Sequence, residues 1–215
     1  RLLFRSIQQP AIPRRIVNRR QFQIGYQIDT VGSSGVQSVE LFITQNGGRK
    51  WYRYGTDDDQ SSPFPVFVPK DGTYGFLIRV KSGAGLSVAA PQPGDRPSIV
   101  VAVDRTAPVL KLLPILQGTG TDTNRFLIRW RSADENPAEK PITISYALKP
   151  QGPWTSIISE KSNTGSHLWT VGPKVPPRVY IRLTARDKAE NISQIQTTRP
   201  IIIDLVRPSA KITEV

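Results

Sequence analysis

The chain has 215 residues, 29 Lys and Arg against 17 Asp and Glu, a single His, and neither Cys nor Met. The lack of Cys excludes a disulfide framework, thiolate metal sites and a Cys nucleophile, and one His leaves little for a His-based metal centre. With 38% hydrophobic and 21% charged residues the composition is globular, and no apolar run approaches the ~18 residues of a membrane-spanning helix.

The formal charge of +12 is uneven. Residues 1–20 carry six Arg (Arg1, Arg5, Arg14, Arg15, Arg19, Arg20) and no acid. Residues 21–108 carry eight bases and eight acids, and residues 109–215 carry fifteen bases and nine acids. A net base excess attracts polyanions at long range. No Lys/Arg run exceeds two residues, however, and Lys and Arg on solvated strand faces account for the excess. Neither an RNP-like strand nor a dense basic groove is present, so nucleic acid is not an expected partner.

Along the chain, apolar residues recur with period two. They do so at Phe22, Ile24, Tyr26 and Ile28, at Val39, Leu41 and Ile43, at Phe76, Ile78 and Val80, and at Val101 and Val103. The pattern resumes at Phe126, Ile128 and Trp130, at Ile142, Ile144 and Tyr146, and at Val179, Ile181, Leu183 and Ala185. Period two means one buried and one wet face, the mark of antiparallel strands. Turn chemistry separates the runs at Gly32–Gly35, Asn46-Gly47-Gly48, Lys70-Asp71-Gly72, Gly118-Thr119-Gly120 and Pro150–Pro153. Nineteen Pro and sixteen Gly leave few stretches that suit a helix. The expected fold is all-β: two tandem antiparallel β-sandwiches.

The two halves match each other. Phe22–Tyr26 aligns with Phe126–Trp130, Phe76–Val80 with Val179–Leu183, Leu86-Ser87 with Ile192-Ser193, and Pro97–Val100 with Arg199–Ile202. A junction-like segment recurs around Pro10, Pro108 and Pro208, and its period, about 100 residues, is that of a sandwich module. The expected organisation is a leader or tail of a preceding element at 1–9, a first module at 10–107, a second at 108–207 and the start of a following element at 208–215. The chain reads as a stretch of a longer protein.

These residues carry a resemblance. Phe126–Trp130 resembles the fibronectin type III strand B that ends in a core Trp. Ile142–Tyr146 followed by Trp154 resembles strands C and C′, and Tyr180–Ala185 followed by Asn191-Ile192-Ser193 resembles strand F and the F–G turn. The first module, with Tyr26 at the Trp position, is similar to a bacterial immunoglobulin-like module. Its Val103-Asp104-Arg105-Thr106-Ala107-Pro108 resembles the junction between modules of large exported bacterial proteins. The resemblance implies non-catalytic structural or protein-interaction modules of an exported protein, periplasmic, cell-surface or extracellular. The implied partners are neighbouring domains of the same polypeptide, and a protein or polysaccharide. The alternatives are a carbohydrate-binding module and accessory domains of a larger secreted enzyme.

No catalytic constellation is legible, and no cofactor or metal is assigned. His167 lacks a nucleophile elbow such as Gly-x-Ser-x-Gly; Gly83-Ala84-Gly85 and Gly118-Thr119-Gly120 lack the Lys and helix of a phosphate-binding loop. Thr44–Trp51 resembles an Asp-box, but it occurs once, carries Asn46 in place of Asp, and reads as a hairpin turn. Two acidic groups offer oxygen ligands to Ca²⁺: Asp57-Asp58-Asp59, and a junctional set of Asp104, Asp187 and Asn191. Neither has EF-hand spacing. The ligand surface the sequence suggests is the alternating run Trp51, Tyr52, Arg53 and Tyr54. It should set Trp51 and Arg53 on one face and the two tyrosines on the other, for stacking on sugar rings or on nucleobases.

Overall fold

A computed structural model of the chain describes residues 11–205, 209–211 and 213–214. It divides into two units, Arg1–Arg105 and Thr106–Val215. The expected leader at 1–9 lies outside the described residues, as do positions 208, 212 and 215 of the expected following element.

In the first unit the alternating runs form β1 (Arg14–Val17), β2 (Gln21–Ile24), β3 (Val36–Thr44), β4 (Tyr52–Asp57), β5 (Phe64–Phe67), β6 (Gly72–Ser82) and β7 (Ile99–Val103). One sheet runs β1-β7-β6-β3-β4 and the other pairs β2 with β5. Every pairing is antiparallel except β1 with β7, which run parallel with Arg14 opposite Val100 and Val17 opposite Val103. Inward residues of the two sheets meet in one core. Ile24, Phe64 and Val66 pack with Leu41, Tyr74, Phe76, Val101 and Val103, and Phe22 meets Phe76 edge-on at 5.9 Å between ring centroids. Burying such side chains contributes about 1.5–3 kcal/mol each, which is why period-two patterning selects the inward face.

The second unit holds β8 (Val109–Leu112), β9 (Leu116–Gln117), β10 (Arg125–Ala133), β11 (Pro137–Ala147), β12 (Thr155–Lys161), β13 (Ser166–Thr170), β14 (Arg178–Asp187), β15 (Ile192–Gln196) and β16 (Ile201–Ile202). One sheet orders β13-β10-β8, with β9 also on β10. The other orders β12-β11-β14-β15, with β16 on β14. Phe126, Ile128, Trp130 and Trp169 from the first sheet close on Ile142, Ile144, Ile181, Leu183 and Ala185 from the second. The Trp130 indole N–H donates to Asn163 Oδ1 at 2.9 Å, so its one polar atom is satisfied at the edge of the core.

Two local expectations differ from the structure. The run Phe22–Ile28 leaves its strand after Ile24, because the Tyr26 backbone N–H donates to Ser62 Oγ instead of to a sheet neighbour. Leu86-Ser87, matched in sequence to the start of β15, forms no strand; Ser87 makes only an isolated bridge to Lys81. The segment that follows contains Pro91, Pro93 and Pro97, which have no N–H to give a ladder.

Candidate functional site

The suggested ligand residues sit at the start of the edge strand β4. The turn before it is closed by its own side chains. Gly48 N–H donates to Thr44 Oγ1 at 3.0 Å and Lys50 N–H to Asn46 Oδ1 at 2.9 Å. Gly47 and Gly48 adopt φ of 69° and 93°, the left-handed conformation that Gly reaches without a Cβ clash. This hairpin accounts for the Asp-box likeness. Trp51 is half-buried and its indole nitrogen is enclosed with no acceptor among the described residues. Tyr52 is 53% exposed, with Lys50 Nζ 4.9 Å from its ring centroid.

Arg53 turns toward Glu40, at 3.1 Å, and the same carboxylate takes a hydrogen bond from Arg79 Nε at 2.7 Å. Tyr54 goes elsewhere. Leu41 pairs with Gly55 and Phe42 with Arg53, so Tyr54 is the extra residue of a bulge, a feature that re-aims a side chain. Its ring packs on Phe64 at 6.1 Å. Its hydroxyl donates to the Phe67 carbonyl at 3.2 Å and accepts the Phe67 N–H at 2.7 Å. The bulge therefore separates the two tyrosines, and Tyr52 and Arg53 are the exposed members of the four-residue run, with Lys50 beside the Tyr52 ring.

Asp57 is buried and accepts the Tyr26 hydroxyl, while Asp59 Oδ1 accepts the Ser61 N–H at 2.8 Å. Burial, then the Asp57 hydrogen bond, then the charges of Asp57 and Asp59, push the Tyr26 phenol up to about 12. In the second unit Asp187 is fully buried. Its Oδ1 accepts the Asn191 N–H at 2.8 Å and its Oδ2 accepts Asn191 Nδ2 at 2.7 Å, which closes the β14–β15 turn. An Asp134 carboxylate oxygen lies within 4.8 Å of one of Asp187.

His167 is on β13 opposite Ile128. Burial, then the Lys161 charge, lower its pKa from the ordinary 6.5. Its strand neighbour Ser166 points to the opposite face, so the two do not make a nucleophile–base pair. A contact the sequence reading did not single out joins Arg182 on β14 to Trp154. The guanidinium stacks 3.8 Å from the ring centroid. Only the presence of Trp beside the C′ strand was legible beforehand.

No protein-family model and no curated protein matches the chain. Among solved structures it is similar to the fibronectin(III)-like modules of Clostridium thermocellum CbhA. The identity is 14%, the match covers 95% of this chain and 97% of that one, and the TM-score is 0.52. The chicken CNTN1 FN1–FN3 domains match with 13% identity over 86% of this chain and 65% of that one, at a TM-score of 0.40. The second unit sets β8, β9, β10 and β13 against β11, β12, β14, β15 and β16, two antiparallel sheets that face each other as in a sandwich of this kind. The chain has the fold of consecutive fibronectin type III-like β-sandwich modules.

Proposed function

We propose that the chain is a non-catalytic structural and protein-interaction segment of a larger exported or cell-surface bacterial protein. The observation that carries this reading is the use of the inward positions. In each unit they are filled by apolar side chains that close a sandwich core, and the fibronectin type III-like fold supports a structural or interaction role. No helix among the described residues is long and apolar enough to cross a membrane. The partners of this reading are neighbouring domains of the same polypeptide and an external protein. Fractionation of cells expressing the tagged full-length protein tests it: recovery in an exported or surface fraction is the expected result, and retention in the cytosol overturns it.

A second reading, a carbohydrate-binding module, is favoured by the exposed Tyr52 ring beside Lys50. Aromatic faces stack on sugar rings while a neighbouring cation donates to hydroxyls. A glycan array with the wild type and with Trp51→Ala and Tyr52→Ala decides it. Binding lost in the variants supports this reading, and no binding by the wild type ends it.

A further inference from the structure

The two sheets of the second unit differ in charge. The sequences of β8, β9, β10 and β13 contain Lys111, Arg125, Arg129 and Arg131 and no Asp or Glu at all. The opposing sheet mixes both signs, with Glu139, Glu160 and Asp187 among its bases. Along β10 the alternation buries Phe126, Ile128 and Trp130. That places Arg125, Leu127, Arg129 and Arg131 on the outer face.

Register adds a second observation. Leu127 lies opposite Leu168 of β13 on one side and opposite Leu116 of β9 on the other. Directly paired residues share a face, so three leucines from three strands form one row on the outside of the sheet. Leu116 is 47% and Leu168 52% exposed. The basic side chains stand on both sides of this row. Arg125, opposite Thr170, is on one side, and Arg129, opposite Ser166, is on the other, with Arg131 opposite Lys111 beyond it. Arg125 meets Asp122 at the rim of the sheet at 3.2 Å. Arg129 Nε is enclosed and has no hydrogen-bond acceptor among the described residues.

An exposed aliphatic row ringed by cations selects its occupant by charge and by shape. A second copy of this face repels it. A nucleic acid gains phosphate contacts but finds no aromatic ring on which to stack bases. Protein hot spots favour Trp, Tyr and Arg with shape-matched pockets, and Leu is under-represented there. Acyl chains need no shape match, and phosphate headgroups satisfy guanidinium and ammonium donors. We infer that the outer face of the β8–β9–β10–β13 sheet docks on the surface of an anionic lipid bilayer. The leucine row enters the acyl boundary and Lys111, Arg125, Arg129 and Arg131 take the phosphates.

Sedimentation with vesicles tests this. The wild type is expected to bind equal mixtures of phosphatidylcholine and phosphatidylglycerol and to leave pure phosphatidylcholine unbound. Lys111→Gln and Arg131→Gln should each weaken binding about fivefold, because one cation near such a surface contributes about 1 kcal/mol. The pair Leu116→Ser and Leu168→Ser should weaken it about tenfold by removing aliphatic burial. Both leucines are exposed, so unchanged thermal midpoints are expected to confirm folded variants. Thr170→Leu, which extends the apolar row and removes no contact of the core, should strengthen binding several-fold. Val88→Ser, at an exposed apolar position of the other unit, should change nothing. No sedimentation of the wild type overturns the proposal. So does binding that survives the leucine substitutions, which marks a response to any polyanion, or the absence of a gain with Thr170→Leu.

Discussion

The Arg182 guanidinium carbon lies 3.8 Å from the Trp154 ring centroid, and Arg182 Nε and Nη2 donate to Gln196 Oε1 at 3.3 and 3.1 Å. One residue of β14 thereby ties the segment leading into β12 to β15 on the outer face of a five-stranded sheet. Arg182→Ala should lower the stability of the second unit by about 1 kcal/mol, the scale of a partly desolvated cation–π contact. Arg182→Lys should recover only part of that, since an ammonium cannot lie flat on the ring. Urea unfolding followed by tryptophan emission measures both.

The Tyr26 phenol and the Asp57 carboxylate form a second testable pair. With its pKa pushed up to about 12 from 10.0, the folded phenol holds its proton more tightly than the unfolded one. The associated stability is complete below pH 10 and is lost as pH rises from 10 to 12. Ultraviolet difference titration should show Tyr26, and Tyr74 with its phenol also raised by burial, ionising after the ordinary tyrosines. In Asp57→Asn the Tyr26 phase should move to lower pH.

His167 has the opposite sign. Its folded pKa is lowered below 6.5 by burial and Lys161, so the unfolded chain takes up a proton that the folded one refuses. Stability is full above pH 6.5 and declines as pH falls through the folded pKa. NMR titration of this single imidazole should give a midpoint below that of a free histidine, and His167→Phe should remove its share of the acid dependence.

The turn between β3 and β4 separates conformational from steric cost. A Cβ added to Gly47 meets nothing within 4 Å, whereas one added to Gly48 falls 2.0 Å from the Asp95 carbonyl oxygen. Gly47→Ala should cost about 1 kcal/mol, the price of a left-handed backbone with a side chain. Gly48→Ala should cost more than about 2 kcal/mol, because backbone must move as well. Thermal melting of the two variants orders them.

Asn163 is the acceptor for the Trp130 indole and also donates Nδ2 to the Ser132 carbonyl at 2.9 Å. Asn163→Ala should destabilise by about 1–3 kcal/mol, since it strands an enclosed donor. Adding Trp130→Phe removes that donor, so the double variant should lose less than the sum of the singles. A double-mutant cycle in urea provides the measurement.

Much of the fold was legible because burial repeats every second residue in a strand, and runs such as Phe126-Ile128-Trp130 display that period locally. The end of β2 was not legible. It depends on Ser62, 36 residues away, capturing the Tyr26 N–H. For β4, alternation misplaced Tyr54 because the bulge arises from the pairing with β3 and leaves no mark in β4 itself. The leucine row shows a deeper limit. Period two says which face Leu127 occupies, but only register says that Leu116 and Leu168 stand beside it.

The parallel pairing of β1 with β7 has a mechanical consequence. The first unit is entered through β1 and left through β7, and the two strands run side by side in the same direction. Tension applied at the two ends of that unit slides one strand along the other instead of peeling it away. The bonds from the Val100 N–H to the Pro13 carbonyl and from the Asp104 N–H to the Val17 carbonyl bracket this ladder, and they are loaded together with those between them. Such a shear clamp yields only when all of them break at once, so the first unit is built to stay folded when the chain is pulled taut.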